Sequence, residues 1–180
     1  DLDSFKRFAF KSGIHEQIAA FVTFRPALLH KFDPQQPAWP SPRSWAMASQ
    51  LHAIGADIAP AIGAGGAVEF NAFCAVYRDL PDLEQVLEGN GAGLAFPEEP
   101  SIRYATVVGL TARAGTPERA YNGFKWLTQV AGVEWAQLCA TDLFRLMRTL
   151  RKHKKLFALI EADPDMATWL EQFEALTSGA

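Results

Sequence analysis

The sequence predicts an all-α protein, an orthogonal multi-helix domain. Three observations predict it. Apolar residues recur at three- and four-residue spacing along most of the chain. The breaks between these runs are Ser, Thr or Asp starts followed by Pro, and Gly stops. No segment shows period-two alternation bounded by hairpin turns. "YATVVGL", Tyr104 to Leu110, is the one strand-like stretch, and its flanks favour a helix.

Taken in order, "DSFKRFAFKSG" predicts a helix capped by Asp3 or Ser4 and closed on Gly13. "HEQIAAFVTFR" places Ile18, Phe21 and Val22 on one face. Pro26 opens a short helix, since proline is tolerated at a first helical position. Asp33 to Pro40 holds three prolines in eight residues and reads as an extended loop. Ser41 caps the next helix, with Pro42 in its first position; it runs through Trp45, Ala48, Leu51 and His52 to Gly55. A short helix fills Asp57 to Ile62, and "GAGG", Gly63 to Gly66, breaks it. Val68, Phe70, Phe73, Val76 and Tyr77 then fall at helical spacing, and Pro81 precedes a further short helix.

The longest irregular stretch runs from Gly89 to Pro100. A helix follows over Ser101 to Ala114. Thr116 caps another that begins at Pro117, and Gly132 separates it from a long helix through Leu150. One or two last helices hinge at Pro164. The expected organisation is a first helical part over 1–88, a loop or linker over 89–100, and a second helical part over 101–180 packed on the first.

At 180 residues the chain suits one domain, or one domain with an appended lobe. Hydrophobic residues are 49% and charged residues 21%, ordinary values for a globular protein. The net charge of -3 gives no overall attraction to nucleic acid or anionic membrane, and neither is expected as a partner. No apolar run reaches the ~18 residues that span a bilayer. The first residues carry no signal-peptide pattern, so the expected location is cytoplasmic. Cys74 and Cys139 lie in apolar helical patterns and read as reduced core thiols. The chain begins at Asp1 and not at a methionine, so it is expected to be processed or part of something longer.

Several chemistries lack their motifs. "HEQIA" at His15 has no second histidine four residues on, and His15, His30, His52 and His153 are scattered, so no metal site is expected. "GAGGAVEF" has no Lys followed by Ser or Thr, and "GNGAGLAF" follows no strand, so both read as flexible breaks. No nucleophile elbow is present.

Two features remain. The run "RLMRTLRKHKK" puts Arg145, Arg148 and Lys152 on one helix face, with Leu146 and Leu150 pointing away. It reads as a solvated face. The other feature is Arg43 in "AWPSPRSW". The first turn of a helix carries partial positive charge, where a cation costs a few tenths of a kcal/mol up to about 1. An arginine there fits a site where a third party brings negative charge. Otherwise it bends to solvent or pairs with a carboxylate such as Asp33.

"FRPALLHKFDPQQPAWPSPRSW", Phe24 to Trp45, resembles the segment that follows the nucleotide-binding core in MoxR-like AAA+ ATPases. "GAGGAVEFNAFCAVYRDLPDLEQVL" and, more weakly, "YATVVGLTARAGTPERAYNGFKWL" are similar to the helical region beyond it. The likeness covers roughly the first two thirds of the chain and does not reach the tail after Gly132. It implies that Arg43 is the sensor 2 residue of a lid, reaching the γ-phosphate of ATP, with Ser41 and Pro42 beside it at the nucleotide. It also implies ATP and Mg in a longer parent, a core on the same polypeptide, a hexamer of neighbouring subunits and a client protein to be remodelled. The chain departs from that family in having no phosphate-cradling Walker A loop, no Walker B carboxylates and no βαβ pattern. These 180 residues alone are therefore expected neither to bind a cofactor nor to hydrolyse ATP. A second reading is a non-enzymatic all-α interaction module, in which the 12% aromatic content and the Arg145–Lys155 face form a partner surface.

Overall fold

A computed structural model describes residues 1–178. Among the described residues the chain is all-helical, with eleven α-helices and two short 3₁₀ turns. It forms two compact units. The first comprises Asp1–Leu80 with Pro97–Gly109; the second comprises Pro81–Phe96 with the chain from Leu110 onward.

The first unit contains α1 (Leu2–Ser12), α2 (Glu16–Phe24), the 3₁₀ turn Pro26–Leu28, α3 (Pro42–Ala53), α4 (Ala59–Ile62) and α5 (Ala64–Val76). Helix α7 (Pro100–Arg113) contributes its residues up to Gly109 here and Leu110–Arg113 to the second unit. The periodic apolar residues form the core: Phe5 and Ala9 of α1, Ile18, Phe21 and Val22 of α2, Trp45 and Ala48 of α3, and Phe70 and Phe73 of α5. Phe21 is the hub. Its ring centroid lies 5.5 Å from those of Trp45, Phe70 and Phe73. Burying each such side chain contributes about 1.5–3 kcal/mol before chain entropy is charged.

The second unit contains α6 (Leu83–Leu87), α8 (Pro117–Val130), α9 (Val133–Thr149), α10 (His153–Glu161) and α11 (Pro164–Ser178). Leu83 and Leu87 of α6, Phe124 and Leu127 of α8, Leu143 and Met147 of α9, and Leu156 and Ile160 of α10 are buried. Phe124 meets Trp169 of α11 edge-on at 4.8 Å.

Caps explain most boundaries. Thr116 caps α8 and Gly13 closes α1 as the sequence predicts. The N-cap of α1, however, is Asp1 rather than Asp3 or Ser4: its carboxylate takes the Ser4 N–H at 2.7 Å, which starts the helix one turn earlier. "GAGG" is not a continuous break. Gly63 alone ends α4, at φ 81, while Gly65 and Gly66 lie inside α5. Gly66 packs against Ile62 and Pro40, where its lack of a side chain admits the close approach.

The basic run does not form one helix face. Helix α9 ends at Thr149, Arg151 takes the left-handed conformation at φ 57, and α10 begins at His153. The Lys152 N–H donates to Met147 O at 2.8 Å and the Arg151 N–H to Arg148 O at 3.0 Å. These are the two bonds of a Schellman ending, here with arginine where glycine is usual.

Candidate functional site

The site suggested by the sequence is the start of α3. Ser41 is extended, and its hydroxyl accepts the Ser44 N–H at 3.1 Å. The Ser44 hydroxyl accepts the Ser41 N–H at 2.8 Å and is 2.9 Å from the Trp39 carbonyl, to which it donates. The two serines thus make a reciprocal capping box. Pro42 has no N–H to offer. Of the orphan donors at this terminus, only the Arg43 N–H is left without a bond from the cap.

The start of α3 is held from below by Trp45. Its indole is fully buried, and its Nε1–H donates to Leu28 O at 2.7 Å. The Lys31 N–H donates to Pro40 O at 3.0 Å, joining the two ends of the proline-rich loop. Arg43 itself is exposed. Its side chain borders two surface grooves of the first unit. One is lined by Trp39, Met47 and Pro60, the other by Phe5, Phe8 and Ala46. Among the described residues no carboxylate forms an ion pair with Arg43, and the Asp33 carboxylate instead takes the Gln35 N–H at 3.0 Å. Ser41 and Pro42 sit beside Arg43, but the Ser41 hydroxyl is already committed to the cap.

The other candidates resolve into structural roles. In the basic run, Arg145 is 3.7 Å from Asp142, Lys152 Nζ donates to Gly115 O at 2.7 Å, and Lys155 pairs with Glu118 at 2.6 Å. Neither cysteine is in a disulfide; Cys139 is buried, and burial pushes the half-buried Cys74 thiol up to about 11, where it is no nucleophile. Among the described residues no group of three His, Cys, Asp or Glu side chains could hold a metal. Among them, too, no helix is long and apolar enough to cross a membrane.

Two clusters were not legible in the sequence. On the second unit, Tyr121 Oη donates to Asp163 Oδ2 at 2.7 Å, and Lys125 Nζ donates to the same oxygen at 2.7 Å. The other Asp163 oxygen takes the Asp165 and Met166 N–H groups. Lys125, then Tyr121, holds the Asp163 carboxyl well below the usual carboxylate range. Burial, then Asp163, raises the Tyr121 phenol, which therefore stays protonated and ties α8 to the start of α11 rather than acting as a base. On the first unit, His15 and His52, 37 positions apart by their numbers, meet with ring centroids 4.6 Å apart. No spacing pattern within one helix could have signalled either cluster.

Comparison with protein-family models, with curated proteins and with solved structures returns no match.

Proposed function

We propose that this chain is the lid and C-terminal helical part of an AAA+ ATPase. Its segment Phe24 to Trp45 resembles that of the MoxR-like group of that class. One observation carries the reading: Arg43 stands exposed in the first turn of a capped helix, with no carboxylate partner among the described residues. The capping box leaves that helix end one free N–H, so the guanidinium, not the terminus, would meet an anion. Arginine suits this task because it stays charged and offers a planar fork of donors. In the parent protein, ATP and Mg would lie on a core elsewhere in the polypeptide, and ATP would supply the charged γ-phosphate that Arg43 approaches. Closure of the lid would couple hydrolysis to remodelling of a client, within a hexameric ring.

The reading is tested by the reading frame upstream of Asp1. About two hundred in-frame codons carrying GxxxxGK[ST] and an acidic strand end support it. A frame that opens at or just before Asp1 overturns it. In a parent so identified, Arg43→Ala should lower ATP turnover by about a hundredfold, on the scale of one lost charge-stabilising donor. ADP affinity should fall far less. Equal losses would refute a γ-phosphate role. The exposed Phe32, Met47 and Ile54 favour the interaction-module reading should the frame test fail.

A further inference from the structure

We propose that His15 and His52 form an acid-sensitive catch that holds the start of α2 against the last turn of α3. His15 is the N-cap of α2, and its Nδ1 accepts the Gln17 N–H at 3.3 Å. Its own backbone N–H donates to Ser49 Oγ of α3 at 2.8 Å. His52 Nε2 lies 2.6 Å from Gln17 Oε1. An amide oxygen only accepts, so His52 donates to it from Nε2. The same oxygen receives the Cys74 thiol at 3.8 Å, which agrees with that orientation of the amide. The two imidazoles meet edge-on at 84°, and Phe70 closes the other side of His52 at 5.0 Å.

The bond into His15 Nδ1 requires a neutral ring. A proton on His15 Nδ1 removes the acceptor that caps α2 and sets a donor against a donor. A proton on His52 Nδ1 places a cation in a half-buried seat beside His15. The groups facing His52 are His15 and Gln17 from α2 and Cys74 and Phe70 from α5. The charged residues on the flanking turns are Lys11, at the end of α1, and Glu16, beside His15. Among the described residues neither imidazole forms an ion pair with a carboxylate. The C-terminal end of α3 favours a cation at His52 by a few tenths of a kcal/mol. Burial, and then His15, outweighs it and holds the imidazole below its ordinary 6.5. A folded value below the unfolded one gives stability that is fully present above about pH 6.5 and is lost as the pH falls below it. The inference stands whether or not Arg43 meets a phosphate.

The test uses the whole chain and the variant His15→Asn with His52→Gln. Asn retains a strong capping acceptor, and Gln retains a neutral N–H donor near the Nε2 position. Urea unfolding of the first unit is followed at about pH 7.5 and about pH 5.5, a window in which histidines titrate. In the wild type the midpoint should fall on acidification, and in the double variant that fall should shrink to less than half. An equal fall in both overturns the proposal. The wild type alone gives a second reading by NMR. His52 should titrate below 6.5 while the Gln17 amide loses about tenfold in protection over the same window. Titration at or above 6.5, or unchanged protection, overturns it.

Discussion

Replacing Trp45 with phenylalanine perturbs the residue that seats the start of α3. The indole is fully buried, lies 5.5 Å from Phe21 and 6.0 Å from Phe70, and donates to Leu28 O at 2.7 Å. Phenylalanine keeps a six-membered ring but leaves a buried carbonyl without its donor, which costs about 1–3 kcal/mol. The missing part of the indole leaves a void of about 40 Å³, worth about 1 kcal/mol at the cost per volume known for core truncations. The total is about 2–4 kcal/mol, a large share of the 5–15 kcal/mol that about covers a whole domain. The assay is urea unfolding followed through the ring resonances of His15 and His52. Both belong to the first unit, so the second unit does not blur the transition. The midpoint should drop with little change in slope. A loss under about 0.5 kcal/mol, the scale of an ordinary surface change, would refute the reasoning. It would mean that Leu28 O finds another donor and that the rings close over the gap.

Two further outcomes follow from single atoms. Gly63→Ala should destabilise the first unit by more than about 2 kcal/mol in the same titration. The position has φ 81, a Cβ there would lie 2.6 Å from Ala38 O, and the strained conformation alone costs of order 1–3 kcal/mol. Asp163→Asn should flatten the acid limb of the second unit's thermal stability. The wild-type carboxyl sits below its ordinary 3.8, so its contribution is present above that pH and is lost as the pH falls below it. Parallel acid limbs in wild type and variant would show that Lys125 and Tyr121 do not hold the carboxylate.

Helix positions were legible wherever the signal is local. Ser41 and Pro42 start α3 because a hydroxyl cap and a preset φ act within four residues. Gly55, at φ 71, ends the same helix because the chain there must turn left-handed, which glycine does without a side-chain clash. The end of α9 was not legible because Arg151 takes that conformation instead, at a cost of roughly 1–2 kcal/mol that leaves no compositional mark. The pattern of units was hidden for a related reason. Periodicity shows that Leu83 and Leu87 share a helix face, but not that this face packs on α8, where Gly123 admits Leu87 to 3.0 Å of an added Cβ. It likewise shows that Ala105 and Val108 of α7 are apolar, but not that the chain returns after Phe96 to bury them in the first core.

The same distinction governs the candidate site. Sequence placed Arg43 in the first turn of a helix, and a cation there is opposed by the helix dipole. Two local remedies exist: a carboxylate that neutralises the guanidinium, or a cap that consumes the terminal N–H groups. The chain uses the second. Ser41 and Ser44 satisfy each other, Pro42 removes a third donor, and no carboxylate among the described residues pairs with Arg43. A cap of this kind makes the helix start self-sufficient, so Arg43 is not required for folding it. Arg43→Ala should therefore leave the unfolding free energy of the first unit, read from its urea titration, within about 0.5 kcal/mol of wild type, as for a surface change without a partner. A larger loss would assign the arginine a structural contact and remove the ground for giving it to an outside anion.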